Sequence, residues 1–193
     1  MKRIVIAILA AALVLLAATF GLNGIAAKRA QEEHLWLMRT LLADEAATFQ
    51  VEPYAGEDET IRSVHKSTFG YVIETVTRGY ADEMTVVVGV SNDGRVTGLV
   101  VLEAHETLGL GSKALTDHVF LSQFLNKSGT FTIGNADAFS GATGEAADAG
   151  EEVWVDGITG ATVTSKAVAR CVTSAVAYVT GTDAASAATS WGG

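Results

Sequence analysis

The stretch from Glu83 to His105, EMTVVVGVSNDGRVTGLVVLEAH, decides the fold class. Val and Thr dominate both halves, and Ser91-Asn92-Asp93-Gly94 between them has turn composition, so it reads as two antiparallel strands joined in a hairpin. Upstream, GYVIETVT at residues 70–77 has the same β-branched and aromatic enrichment and supplies a third strand. Downstream, Ser112 is placed to cap a helix running to about Asn126, with Leu115, Val119 and Leu125 among its apolar positions and Lys127-Ser128-Gly129 closing it. GTFTI at 129–133 and EEVWV at 151–155 read as further strands. From Lys166 to Thr180, Val168, Cys171, Val172, Ala175, Val176 and Val179 recur at helical spacing. The order strand, strand, strand, helix, strand, strand, helix specifies an α+β domain: a mainly antiparallel sheet with helices packed on it.

Composition sets outer limits. The chain has 193 residues, 49% of them apolar and 18% charged, which is enough for one domain with a core and a short appendage. Its 22 acidic against 13 basic residues argue against a nucleic-acid partner, because phosphate neutralisation needs the opposite sign. Cys171 is the sole cysteine, so no intrachain disulfide forms, and its place in an apolar helical pattern reads as a buried thiol.

Ahead of the domain, Ile4 to Leu22 reads IVIAILAAALVLLAATFGL, with Thr19 its one polar side chain. As a helix this segment is roughly 28 Å long, close to membrane thickness. It is expected to be an uncleaved single-pass anchor. The rival reading is a secretory signal, with Lys2 and Arg3 as its basic start and Gly24-Ile25-Ala26 as a small-x-small cleavage site. Lys2 and Arg3 on one side are balanced by Lys28, Arg29 and Arg39 on the other, so the basic-residue rule does not fix orientation. Next, KRAQEEHLWLMRTLLADEA places Leu35, Met38, Leu41 and Leu42 on one face of a helix, followed by a loop to about Asp58. The expected organisation is an anchor at 1–27, a stalk helix and linker at 28–58, the domain at 59–181 and a disordered tail at 182–193.

One short pattern occurs twice: Asp137-Ala138-Phe139-Ser140-Gly141-Ala142-Thr143 and Asp156-Gly157-Ile158-Thr159-Gly160-Ala161-Thr162. A Thr after Gly-Ala at a helix start has an ordinary use as an N-cap. The same features also make an anion site, since a helix N-terminus offers free N–H groups and the positive end of a dipole. The second copy runs into a strong helix, with Thr164 and Ser165 as hydroxyl donors, Lys166 and Arg170 as cations, and no acid before Asp183. The first runs into GEAADAGEE, where Gly144 and Gly150 weaken a helix and Glu145 and Asp148 repel phosphate. Thr162 is therefore preferred, and Thr143 is expected in a surface loop.

The second copy, DGITGATVTSKAV, resembles the flavinylation motif of FMN-binding domains in the G subunit of Rnf complexes and the C subunit of sodium-pumping NADH:quinone oxidoreductase. The resemblance implies that Thr162 carries FMN through a phosphoester made by a separate flavin transferase using FAD and Mg²⁺. Asp156, Gly160 and Ala161 fall on the motif's other characteristic positions. AHETLGLGSK at 104–113 is similar to the family's His-x-Glu-Thr-Pro-Gly-Leu-Gly loop. There Glu106, Thr107, Gly109, Leu110 and Gly111 match, whereas Leu108 replaces the Pro and removes a fixed φ. Backbone N–H groups of the Gly109–Gly111 turn and around Thr164 and Ser165 are expected to orient ring and phosphate.

Taken over the chain, the resemblance implies a covalently flavinylated electron-transfer subunit of a membrane-bound ion-translocating ferredoxin:NAD⁺ oxidoreductase, without independent catalysis. It implies one anchoring helix in the cytoplasmic membrane, a flavin domain on its outer, periplasmic side, and the other membrane and redox subunits of an Rnf-type complex as partners. A stand-alone extracytoplasmic FMN-domain carrier and a non-redox, membrane-tethered ligand-binding module are the other readings.

Overall fold

A computed structural model describes residues 28–104, 115–134 and 151–182. The expected anchor at Ile4–Leu22, the Glu106–Gly111 loop, the first Gly-Ala-Thr copy with Thr143, and all but the first residue of the tail lie outside them. Among the described residues, no helix is long and apolar enough to cross a membrane. The chain divides into two compact units, Met1–Met38 and Arg39–Gly193. Residues 28–41 are helical (α1), and from Arg39 onward the chain belongs to the second unit.

That unit is α+β. Strands β1 (Gln50–Glu52), β2 (Ile61–Lys66), β3 (Gly70–Arg78), β4 (Glu83–Ser91) and β5 (Val96–Ala104) form an antiparallel sheet in sequential order. The β4–β5 hairpin is the one read from the sequence: Gly94 takes φ +80°, and its N–H donates to the Ser91 carbonyl at 2.9 Å. Two strands carry no such signal. β1 is short and largely exposed, with no apolar alternation. In β2 a bulge between Ile61 and Ser63 sets Ile61 and Val64 on the buried side three positions apart, which breaks the period of two.

A second sheet pairs β6 (Thr130–Gly134) with β7 (Glu152–Asp156) in parallel. Between the two sheets lies α3 (Thr162–Thr180), which packs on β2, β3 and β4 on one side and on β6 on the other. Covered from both directions, it is built from Ala, Ser, Thr, Cys and Val, and twelve of its residues are buried. Its core partners include Val64, Ile73, Val86, Val88 and Val90 from the first sheet and Phe131 and Val155 from the second. Polar side chains on the helix have assigned partners. Thr173 Oγ1 accepts the Phe131 N–H at 2.9 Å, and Ser174 is hydrogen-bonded to the carboxylate of Asp58. Burial pushes the Cys171 thiol up to about 12, against the opposing effect of a hydrogen bond with Thr75, so the thiol is inert at neutral pH.

The helix expected from Ser112 to Asn126 is shorter in its described part. α2 spans His118–Ser122, and Asp117 caps it by accepting the Val119 and Phe120 N–H groups at 2.9 and 3.2 Å. Residues 123–126 are turns, ending with Asn126 at φ +61°. Val119 is 77% exposed, while Phe120 and Phe124 supply the buried side.

On the outer face of the main sheet, Gly89 of β4 stands opposite Gly98 of β5. The last turn of α1 rests in this bare notch, and Thr97 Oγ1 donates to the Leu41 carbonyl at 2.6 Å. A Cβ on Gly89 would meet the Leu41 carbonyl oxygen at 2.5 Å, and one on Gly98 would meet Leu41 at 3.1 Å. Gly89→Ala should therefore cost about 1–3 kcal/mol and Gly98→Ala less; equal urea midpoints for the two variants would contradict the notch.

A pH dependence follows from Asp58. Burial acts to raise its carboxyl, but hydrogen bonds from Ser174 and Thr60 and the Arg170 charge outweigh that and hold it below its ordinary 3.8. A depressed carboxyl stabilises the fold above its unfolded pKa and loses that contribution as pH falls through the folded value. Melting temperatures between about pH 5 and pH 2 should fall less steeply for Asp58→Asn than for the wild type, and parallel curves would count against this role.

Candidate functional site

β7 ends at Asp156 and α3 begins at Thr162, so the second Gly-Ala-Thr pattern is the whole connection between them. Side chains outside the turn hold it at both ends. At its start, Gln123 Oε1 accepts the Asp156 N–H at 2.8 Å and Gln123 Nε2 donates to the Asp156 carbonyl at 3.2 Å. At its end, Ser165 Oγ accepts the Ile158 N–H at 3.2 Å and donates to the Ala161 carbonyl at 2.9 Å. Gly157 lies against Ile133, whose Cγ2 would be 2.6 Å from any added Cβ. Gly160 takes φ +81°, a left-handed conformation that turns the chain into the helix and that an L side chain rarely adopts.

The residue at the N-cap position is Ala161, which is buried and has no side chain able to cap. Thr162 is the first helical residue, and the Ser165 N–H makes the first turn-to-turn bond, to the Ala161 carbonyl at 2.9 Å. The ordinary capping role for this Thr is thus absent: its side chain is exposed, and no hydrogen bond to a described residue engages its hydroxyl. The N–H groups of Thr162, Val163 and Thr164 precede the helical ladder, and no acid lies in the first turn. These donors, together with the dipole end, form a site of the right sign for a phosphate ester on Thr162. The residues present fit the phosphoryl end of FMN.

The remaining expected residues divide by location. Asp156 is exposed at the strand end, and Gly160 is exposed in the turn. Thr164 and Ser165 are buried at 1% and 0% exposure, and the Ser165 hydroxyl holds the turn from below. Lys166 is half-buried one turn into the helix, whereas Arg170 acts on Asp58 farther along. Val163 beside Thr162 is an exposed apolar side chain. Glu106, Thr107, Gly109, Leu110 and Gly111 fall outside the described residues. Gln123 had no signal in the sequence, because what it binds is backbone.

Comparison with known proteins bears on this geometry. The model of the FMN-binding domain family matches residues 79–177. The chain is 39% identical over 100 residues to the G subunit of the Na(+)-translocating ferredoxin:NAD(+) oxidoreductase complex of Acetobacterium woodii, over 51% of this chain and 44% of that one. It is 34% identical over 113 residues to the G subunit of the proton-translocating ferredoxin:NAD(+) oxidoreductase complex of Clostridium ljungdahlii, over 58% and 55% of the two chains. With the G subunit of the ion-translocating oxidoreductase complex of Aliivibrio fischeri it shares 35% identity over 118 residues, 60% of this chain and 52% of that one. The chain spans about half the length of these relatives. A crystal structure of the C subunit of the Na(+)-translocating NADH-quinone reductase from Parabacteroides distasonis matches 61% of this chain and 60% of that one at 22% identity and a TM-score of 0.45, too low to carry a conclusion about fold. The family match extends from Gly79, ahead of β4, to Ala177 near the end of α3, and it contains the Asp156–Thr162 turn. The chain belongs to the FMN-binding domain family.

Proposed function

We propose that this protein is a covalently flavinylated electron-transfer subunit of a membrane-bound, ion-translocating ferredoxin:NAD⁺ oxidoreductase of the Rnf type. The observation that carries the reading is the exposed Thr162 hydroxyl at an uncapped helix start, among donors with no helical partner. The relatives' names, each that of the G subunit of an oxidoreductase complex, support the assignment to a complex. A flavin transferase would join Thr162 Oγ1 to the FMN phosphorus of FAD, with AMP leaving and the hydroxyl proton lost. The N–H groups of Thr162, Val163 and Thr164 would then hold the phosphodiester oxygens, and the left-handed Gly160 lets the backbone approach without a side chain in the way. The flavin, once bound, supplies the electron-transfer chemistry. Glu106, Thr107, Gly109, Leu110 and Gly111 are proposed to complete the site on the ring side.

Ile4–Leu22 is proposed as the single anchoring helix in the cytoplasmic membrane, with the flavin domain on the outer face and the other membrane and redox subunits beside it. The domain supplies position and tuning, and turnover belongs to the assembled complex.

Intact mass of the full chain co-expressed with a flavin transferase tests the acceptor. An FMN-phosphoryl adduct is expected on the wild type and on Thr143→Ala, falling to background in Thr162→Ala. An adduct that survives in Thr162→Ala and disappears in Thr143→Ala would overturn the assignment. Co-purification of the adduct-bearing chain with several polytopic subunits is the expected mark of the complex.

A further inference from the structure

We infer that Gln123 is a positioning residue for Thr162, acting through the backbone of Asp156. β7 pairs with β6 along one edge, and the Asp156 N–H and carbonyl are both met by the Gln123 side chain. The primary amide therefore takes the place that a further strand would have at this residue. It satisfies a donor and an acceptor together, which few side chains can do.

The platform behind Gln123 is rigid. Phe124, the next residue, is fully buried and meets Phe120 edge-on at 5.3 Å and Phe131 of β6 at 5.2 Å between ring centroids. Asp117 caps the short helix that leads into it. The amide is thus carried by side chains packed on β6, the strand that is also β7's partner. From Asp156 the turn reaches Thr162 in six residues, and its other fastening is the Ser165 hydroxyl. Removing the Gln123 clamp frees the strand end while leaving Thr162, its neighbours and the helix start chemically unchanged. This role rests on Thr162 being the acceptor for its effect on flavinylation, although the clamp itself can be measured without flavin.

Three measurements on the full chain test it. In the flavin-free protein, Gln123→Met keeps the side-chain length and loses both hydrogen bonds; amide exchange at Asp156, Ile158 and Ala161 is expected to speed up on the order of tenfold while the core of α3 stays at the wild-type rate. With purified flavin transferase, FAD and Mg²⁺, the same variant is expected to form adduct on the order of ten- to a hundredfold more slowly. Gln123→Glu adds a readout that simple loosening would not produce, because a neutral carboxylic acid both donates and accepts whereas a carboxylate only accepts. In the flavinylated variant the visible circular dichroism should match the wild type in acid and depart from it as pH rises past about 4.3, the ordinary Glu value, with the wild type measured over the same range. Unchanged amide exchange across 156–161, an unchanged adduct rate, or a pH-independent Gln123→Glu signal would overturn the inference. Should Gln123→Met fail to fold, the pH response of Gln123→Glu decides alone. An adduct persisting on Thr162→Ala would remove the acceptor assignment instead, and the exchange result would still decide the clamp.

Discussion

The structure depends on burying one helix from two directions. α3 is covered by the antiparallel sheet on one side and by β6 on the other, and a helix in that position cannot carry large side chains on either face. Its Ala, Val, Ser, Thr and Cys residues answer that demand. Because the hydroxyls among them are also buried, each fastens a neighbour: Thr173 takes the backbone of β6, Ser174 takes Asp58 from the segment before β2, and Ser165 takes the turn that delivers the helix. The helix is a hydrogen-bonded axle as well as an apolar one. Its one exposed end is where Thr162 stands, so the most fixed element of the domain presents the candidate site.

Much of this was legible in the sequence wherever a side-chain period matched a backbone period. β3, β4 and β5 declare themselves through Val and Thr enrichment around an Asn-Asp-Gly turn, and α3 through apolar residues at helical spacing. β2 escaped because its bulge puts Ile61 and Val64 on one face at an odd separation, and β1 because three exposed residues carry no pattern. The helix before β6 is shorter than its sequence pattern suggests: Leu125 and Val119 imply a continuing stripe, whereas the buried residues are Phe120 and Phe124 and the chain leaves the helix through a left-handed Asn126.

For the site, the preference for Thr162 over Thr143 came from the residues downstream of each copy, and that reasoning concerns helix formation and charge, both of which sequence records well. The fastening of the turn was not legible. Gln123 and Ser165 bind N–H and carbonyl groups, which every residue other than proline possesses in full, so no pairing of residue types marks the contact. The Ser165 hydroxyl was expected at the ligand and is instead bonded beneath the turn, a distinction set by which side of the helix start faces the core. Arg170 likewise belongs by sequence to a cationic run and acts on Asp58.

The parallel pairing of β6 with β7 places Gly134 beside Asp156, and the first Gly-Ala-Thr copy comes after Gly134 in the crossover. Thr143 is nine residues from Gly134, a tether that spans at most about 30 Å when fully extended. The two threonines therefore share one neighbourhood by covalent connection alone, at a high effective concentration for any enzyme that visits either. An enzyme that chooses between them gains little from where they are. The choice has to be made on shape and field, on whether the hydroxyl is presented at the start of a helix already locked in place.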